Sequence, residues 1–169
     1  MSADEIALKD KIILVVDDEH DILEAVEELL SGCIVHKAAD YDTALQLLLS
    51  YTYDVVILDI MGVNGFELLR TSVMRGFPTL MFTAHALTPE SLKKAIKLGA
   101  VSFLPKDEIS KLRSFLEDVV MGEGKPVWKK VFENMGGFFS KRFGPDWNEK
   151  DIFFKEFIAE LTKHVPPKA

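Results

Sequence analysis

The sequence lacks the features of a secreted or membrane protein. Its longest apolar runs have the length of strands, well short of the ~20 residues that a membrane helix needs. The N-terminus, MSADEIALKDK, has neither the basic start nor the apolar stretch of a secretory signal. A single cysteine excludes an internal disulfide framework, and Cys33, at the start of an apolar run, is predicted to be a buried structural thiol. We therefore expect a cytoplasmic protein without a membrane partner.

An excess of basic residues is also missing. The 169 residues carry a net charge of −7, and the acidic excess lies in residues 1–121, which have 11 basic and 20 acidic side chains. Residues 122–169 carry 9 basic and 7 acidic side chains, a balance of only +2. The first part repels nucleic acid and the second is too weakly basic to bind it, so no nucleic-acid partner is expected.

What the sequence does contain is an alternation of short apolar runs and helix-period segments. The runs are rich in Val, Ile, Leu and Phe and mostly do not alternate with polar residues, which is typical of parallel strands covered on both faces. They span residues 11–16, 33–38, 53–59, 78–83 and 101–104. The clearest helical patterns span residues 19–31, 40–50, 88–98 and 108–121. Five strand–helix units predict an α/β fold with an open, doubly wound parallel sheet.

Polar residues end or follow four of these strands. Right-handed crossovers place the carboxyl ends of all the strands at one edge, where ligands bind in such folds. The residues expected at this edge are Asp17, Asp18, Asp59, Thr83 and Lys106. Each has a plainer explanation by itself: an aspartate can cap the next helix, a threonine can end a strand, and a lysine can lie in a solvated loop.

The combination of these residues indicates phosphate chemistry with a metal. Two carboxylates about 4 Å apart repel by about 4 kcal/mol at an effective dielectric constant of about 20. Three at one edge require a cation, and oxygen ligands without a full protein cage suit Mg²⁺ completed by a phosphate. A hydroxyl from Thr83 and an ammonium from Lys106 can contact phosphoryl oxygens while an aspartate acts as the nucleophile.

Four motifs, in this order and spacing, resemble the receiver domain of two-component response regulators. They are VVDDEHD, VVILDI, FTAHA and SFLPK, and the resemblance covers roughly residues 9–121. It implies the flavodoxin-like strand order 2-1-3-4-5 and a phosphorylation-operated switch that is not an enzyme beyond self-phosphorylation and self-dephosphorylation. A sensor histidine kinase or phosphotransfer protein is the implied phosphate donor, and a homodimer is a possible assembly.

The resemblance also implies a role for each site residue. Asp59 is the implied phosphoacceptor, and Asp17, Asp18, Asp59 and the backbone carbonyl of Met61 are the implied Mg²⁺ ligands, with Asp18 as a direct one. Thr83 and Lys106 contact the phosphoryl group.

Three further positions match regulatory positions of the family. Phe103 matches the switch aromatic that reorients with Thr83. Met61 and His85 match positions that modulate phosphorylation and dephosphorylation rates. For His85 the alternatives are a general base and a flanking surface histidine.

Two departures from the family pattern concern the surroundings of the site. Only five residues, IMGVN, separate Asp59 from Gly65, and the usual proline is missing. The usual Lys-Pro pair is replaced by Lys106-Asp107, with Pro105 on the other side. Neither change removes a predicted metal or phosphate contact.

The C-terminal part is predicted to be a two-helix extension (127–169) joined to the receiver domain (1–121) by a linker (122–126). Its helical segments span 126–143 and 147–165, and it contains seven of the twelve Phe and both Trp. Each helix therefore has an apolar face that must be buried. The faces comprise Trp128, Phe132, Met135, Phe139 and Phe143, and Phe154, Phe157, Ile158, Leu161 and Val165.

Several alternatives remain at this point. The extension can be a helical hairpin that enlarges the receiver core, a dimerisation or partner-docking surface, or, least favoured, a DNA-binding output. The whole chain can be a scaffold or dimerisation module that works without phosphorylation. A flavin-binding protein is disfavoured because the acidic loop DDEHD repels a phosphate. An aspartyl-phosphate hydrolase is disfavoured because no second aspartate follows Asp59 at the required spacing.

Overall fold

The computed structural model describes residues 3–163, and their side chains from residue 6 onwards. Its centre is a five-stranded parallel sheet with the order β2-β1-β3-β4-β5, which confirms the predicted fold class and strand order. The strands are β1 (Ile12–Val16), β2 (Ile34–Ala38), β3 (Val55–Leu58), β4 (Thr79–Thr83) and β5 (Ser102–Pro105). No helix in the described part of the chain is long and apolar enough to span a bilayer.

Helices alternate with the strands and continue after the last one. The first six are α1 (Ala3–Leu8), α2 (His20–Leu29), α3 (Tyr41–Ser50), α4 (Gly65–Met74), α5 (Pro89–Leu98) and α6 (Leu112–Met121). A 3₁₀ helix, Lys106–Lys111, joins β5 to α6, and the C-terminal part forms α7 (Trp128–Phe143), α8 (Trp147–Lys150) and α9 (Ile152–Thr162).

Helices α3 and α5 begin at residues whose side chains cap them. Asp40 accepts a hydrogen bond from the Thr43 N–H and begins α3, and Thr88 and Ser91 form a reciprocal capping box at the start of α5. The predicted helix 108–121 begins only at Leu112, because the residues before it form the 3₁₀ helix.

The sheet forms the core because both of its faces are covered. Every residue of β3, β4 and β5 is buried, whereas β2, at the edge, has only Ala38 buried. Coverage of both faces explains why the strands other than β2 are mostly apolar runs.

Helix α1 was not predicted from the sequence. It packs against α6, and its last residue, Leu8, is fully buried. The Leu8 carbonyl oxygen accepts a hydrogen bond from the Cys33 thiol at 3.3 Å. Cys33 is half-buried rather than buried, because it lies in the turn before the edge strand.

The C-terminal helices pack on the sheet of the same chain. The Val127 N–H donates to the Val101 carbonyl oxygen at 2.9 Å, and the Trp128 indole donates to the Ala100 carbonyl oxygen at 3.1 Å. The fully buried rings of Phe103 and Phe139 meet edge to face with 6.3 Å between their centroids. The sequence left several alternatives open for the extension. In the structure, the extension enlarges the receiver core.

The second predicted tail helix is divided into α8 and α9. Asp151 lies between them in an extended conformation, and its carboxylate accepts a hydrogen bond from the Phe153 N–H at 2.8 Å. Asp151 also pairs with Lys93 of α5, so α9 is anchored on the receiver. Val165 lies outside the described residues. The division of the chain at 1–121, 122–126 and 127–169 stays a prediction.

Candidate functional site

The sheet brings three predicted site carboxylates and one hydroxyl to its carboxyl edge. They belong to Asp17, Asp18, Asp59 and Thr83. Asp17 directly follows β1, Asp59 directly follows β3, and Thr83 is the last residue of β4. The Asp59 N–H donates to the Val16 carbonyl oxygen at 3.0 Å, so the ladder between β1 and β3 continues to the site itself. Asp17, Asp59 and Thr83 are all buried, whereas Asp18 is exposed.

Both carboxylate oxygens of Asp59 are engaged. Oδ1 accepts hydrogen bonds from the Thr83 hydroxyl at 2.8 Å and from the Ile60 N–H at 2.7 Å. Oδ2 is 2.8 Å from Nζ of Lys106. Asp59 is only 4% exposed, so these contacts fix its orientation within the edge of the sheet.

Lys106 is the cation at the centre of the site. Its ammonium lies 2.6 Å from Asp17 Oδ2, 2.8 Å from Asp59 Oδ2 and 3.3 Å from Glu19 Oε2. Burial lowers the pKa of Lys106, but the contacts with the two buried carboxylates outweigh burial and raise it, so the side chain stays charged. Its peptide bond to Asp107 is trans, like every other described peptide bond.

Asp17, Asp18 and Asp59 form an acidic cluster. One oxygen from each lies within 4.8 Å of the others. Asp17 Oδ1 accepts a hydrogen bond from the Glu19 N–H at 2.9 Å, and its buried Oδ2 pairs with the Lys106 ammonium. Burial is the main cause that raises the pKa of Asp17, and Asp59 adds to the rise. Three carboxylates that converge in this way fit a hard divalent cation such as Mg²⁺.

The short loop after Asp59 is possible because two residues adopt left-handed backbone conformations. Gly62 has φ of 83° and Asn64 has φ of 54°. A Cβ at Gly62 would overlap the Asp18 carboxylate, and one at Gly65 would overlap the Asp59 carbonyl oxygen. The loop therefore passes directly over the acidic cluster and starts α4 close behind Asp59.

The three predicted regulatory residues lie in different environments. Met61 is 53% exposed and follows the site in the short loop, and His85 is exposed after β4. Phe103 is fully buried beneath α7. The exposure of His85 fits a flanking surface histidine better than a general base.

Two residues of the site were not singled out from the sequence. Glu19 contributes a further carboxylate near Lys106. The absence of a side chain at Gly62 leaves room for the Asp18 carboxylate. Glu19 was visible as the third acidic residue of DDEHD. The requirement for glycine at position 62 depends on the backbone conformation of the loop, which the sequence does not display.

Comparisons with known proteins show the family to which the chain belongs. The family model for the response regulator receiver domain matches residues 13–117, so the chain belongs to the receiver family. The chain is 35% identical over 100 residues to the transcriptional regulatory protein DltR of Streptococcus agalactiae, covering 56% of this chain and 44% of that protein. The chain thus spans less than half of DltR, a relative named for a regulatory function.

Solved receiver structures have the same fold. The chemotaxis response regulator CheY4 of Vibrio cholerae superposes with a TM-score of 0.52 at 30% identity, covering 58% of this chain and 88% of that one. A CheY-like receiver domain protein from Methanospirillum hungatei superposes with a TM-score of 0.58 at 25% identity, covering 68% of this chain and 99% of that one.

Proposed function

We propose that the chain is a signalling switch operated by phosphorylation of Asp59. The observation that carries this proposal is the arrangement around Asp59, whose two oxygens contact Thr83 and Lys106 beside the acidic cluster. A carboxylate held in one orientation can attack a phosphorus atom in line with the departing group. Membership of the receiver family supports the same reaction.

In the proposed reaction, an Asp59 oxygen attacks the phosphorus atom of the donor. The new oxygen–phosphorus bond forms while the bond to the donor's leaving group breaks, and the leaving group keeps that electron pair. The Lys106 ammonium offsets charge on the phosphoryl oxygens, and the Thr83 hydroxyl donates a hydrogen bond to one of them. Both groups already contact Asp59, so they lie beside the position that a phosphoryl group bonded to it would occupy.

Mg²⁺ is the proposed cofactor. Asp17, Asp18, Asp59 and the backbone carbonyl of Met61 would hold it, as the resemblance implies. When bound, it offsets the charge that the carboxylates and the phosphoryl group share. Thr83 and Phe103 are the proposed switch pair, and Met61 and His85 the proposed modulators of the reaction rates.

The proposed donor is a sensor histidine kinase or a phosphotransfer protein, and the proposed output is a contact with protein. Residues 122–169 carry a charge balance of only +2, which is too small to favour a nucleic-acid partner. A cytoplasmic location and a homodimer remain predictions. We propose a phosphoacceptor rather than an enzyme with multiple turnovers on an external substrate.

Phosphoryl uptake is the direct test of this function. With acetyl phosphate and Mg²⁺, the wild-type chain is expected to gain the mass of one phosphoryl group, and Asp59→Asn is expected to gain none. Asp54→Asn is the matched control, because Asp54 lies at the opposite end of the same strand. Intact mass spectrometry measures all three proteins, and equal gains in wild type and Asp59→Asn would refute the assignment.

Metal affinity tests the proposed ligands separately. Asp18→Ala is expected to weaken Mg²⁺ binding by more than about ten-fold, a loss typical of altered metal sites. Thr83→Ala is expected to change it much less, because the threonine contacts Asp59 without offering a charged ligand. Calorimetric titration measures both variants beside Asp21→Ala, an exposed aspartate of α2. Similar losses for Asp18→Ala and Asp21→Ala would contradict the ligand assignment.

A further inference from the structure

One short segment of the chain contacts both the C-terminal helices and the phosphoacceptor. In β5, Phe103 packs its buried ring against Phe139 of α7. Three residues later, Lys106 begins the 3₁₀ helix and places its ammonium 2.8 Å from Asp59. A displacement of this segment therefore changes a contact at α7 and a contact at the site together.

The start and the end of the α7 region also contact the chain just before Phe103 and just after Lys106. Before it, Val127 and Trp128 donate hydrogen bonds to the carbonyl oxygens of Val101 and Ala100. After it, Arg142 lies 3.7 Å from the Asp107 carboxylate. This ion pair is exposed and contributes little energy by itself, so the buried ring contact is the main link.

The position of Lys106 in this structure competes with the proposed chemistry. Its ammonium uses one oxygen of Asp17 and one of Asp59, which belong to the acidic cluster. A cation in that cluster repels the ammonium, and a phosphoryl group on Asp59 requires the ammonium to move outward. The contacts with α7 stabilise the segment that holds Lys106 in this competing position.

Helix α7 contains two glycines that its packing does not require. Gly136 and Gly137 lie between the buried residues Met135 and Phe139, and a Cβ at either would meet no atom within 4 Å. A pair of glycines can allow another backbone to approach closely, but none of the described residues approaches this pair in that way. Each glycine lowers the stability of the helix relative to alanine. Their effect is to weaken the helix next to the ring that contacts Phe103.

We propose that α7 is a positioning element for Lys106, and that its packing on β5 opposes occupation of Asp59 by a phosphoryl group. The proposal rests on the proposed function of Asp59. Coupling between two sites is reciprocal, so a phosphoryl group at Asp59 loosens α7 by the same factor by which α7 weakens its binding. The C-terminal helices are thereby the part of the molecule that responds to phosphorylation.

Intrinsic fluorescence reports one direction of the coupling. Both tryptophans of the chain, Trp128 and Trp147, lie in the C-terminal helices and are buried. Addition of beryllofluoride with Mg²⁺ to the full chain is expected to shift their emission to longer wavelength, because loosening of α7 admits water. Asp59→Asn is expected to show no shift.

Variants of α7 test the other direction of the coupling, which is the effect of α7 on binding at Asp59. Phe139→Leu removes the ring contact with Phe103 and is expected to raise the affinity for beryllofluoride about five-fold or more, the lower end of typical coupling. The double variant Gly136→Ala/Gly137→Ala strengthens α7 without altering either contact and is expected to lower that affinity. Phe157→Leu is the control, because its ring contacts among the described residues are with rings of the extension.

Calorimetric titration of beryllofluoride into each full-length protein with Mg²⁺ separates the outcomes. The proposal is supported if affinity rises in Phe139→Leu, falls in the double glycine variant and is unchanged in Phe157→Leu. It is overturned, with the proposed function intact, if wild type binds but its emission is unchanged, or if the affinities are equal or in the reverse order. If wild type neither binds beryllofluoride nor takes up a phosphoryl group, the proposed function fails and this proposal fails with it.

Discussion

Lys106→Met is expected to lower the free energy of unfolding by about 3–5 kcal/mol in the absence of divalent cations, the loss typical of breaking a buried ion pair. Methionine preserves much of the length and volume of the side chain while removing its charge. Asp17 and Asp59, both buried, are then left beside each other without the ammonium that contacts both. Urea unfolding followed by circular dichroism measures the loss.

Mg²⁺ is expected to restore part of this stability. A cation bound by the native acidic cluster stabilises the folded state in proportion to the logarithm of one plus the ratio of its concentration to its dissociation constant. The stabilisation should be larger in Lys106→Met than in wild type, because the ammonium no longer competes for the same oxygens. Lys111→Met is the control, because this half-buried lysine of the same 3₁₀ helix pairs with Glu108 and not with the acidic cluster. An equal response to Mg²⁺ in wild type and Lys106→Met would show that lysine and metal do not share the site.

The sheet and the residues at its edge could be predicted from the sequence for a physical reason. Strands covered on both faces are uninterrupted apolar runs, and parallel topology brings their carboxyl ends together. The proximity of Asp59 to Thr83 and Lys106, which are distant in the chain, follows from that topology alone. The contact between the Lys106 ammonium and Asp17 does not follow from the topology, because the pairing of side chains depends on their packing at the folded edge.

Other parts of the fold depend on contacts that the sequence does not reveal. Helix α1 has only six residues, too few for a helical period to be recognised. The break at Asp151 was missed because the apolar period runs through it, from Trp147 in α8 to Phe154 in α9, whose rings are in contact. An aromatic helix face predicts burial but not the surface that buries it, so docking of α7 on β5 became clear only from the structure.

Phe139→Ala is expected to lower the free energy of unfolding by about 3–5 kcal/mol, the usual cost of removing a fully buried aromatic side chain. The ring of Phe139 is fully buried and contacts five other rings, so its removal leaves a cavity that its neighbours cannot fill without moving. The ring partners are Phe103, Phe132, Phe138, Phe143 and Trp147.

The comparison with Phe138→Ala shows whether this loss reflects the interface with β5. Phe138 is the neighbouring residue of α7 but is half-buried, so its replacement is expected to cost clearly less. Because Phe139 bridges α7 and β5, tryptophan emission and circular dichroism should report one shared transition in wild type. In Phe139→Ala the midpoints of the transitions followed by tryptophan emission and by circular dichroism should both shift, by the same amount, to a lower urea concentration. If only the tryptophan transition moved while the sheet unfolded as in wild type, α7 would be an independent appendage, and its contact with Phe103 would carry no coupling to the site.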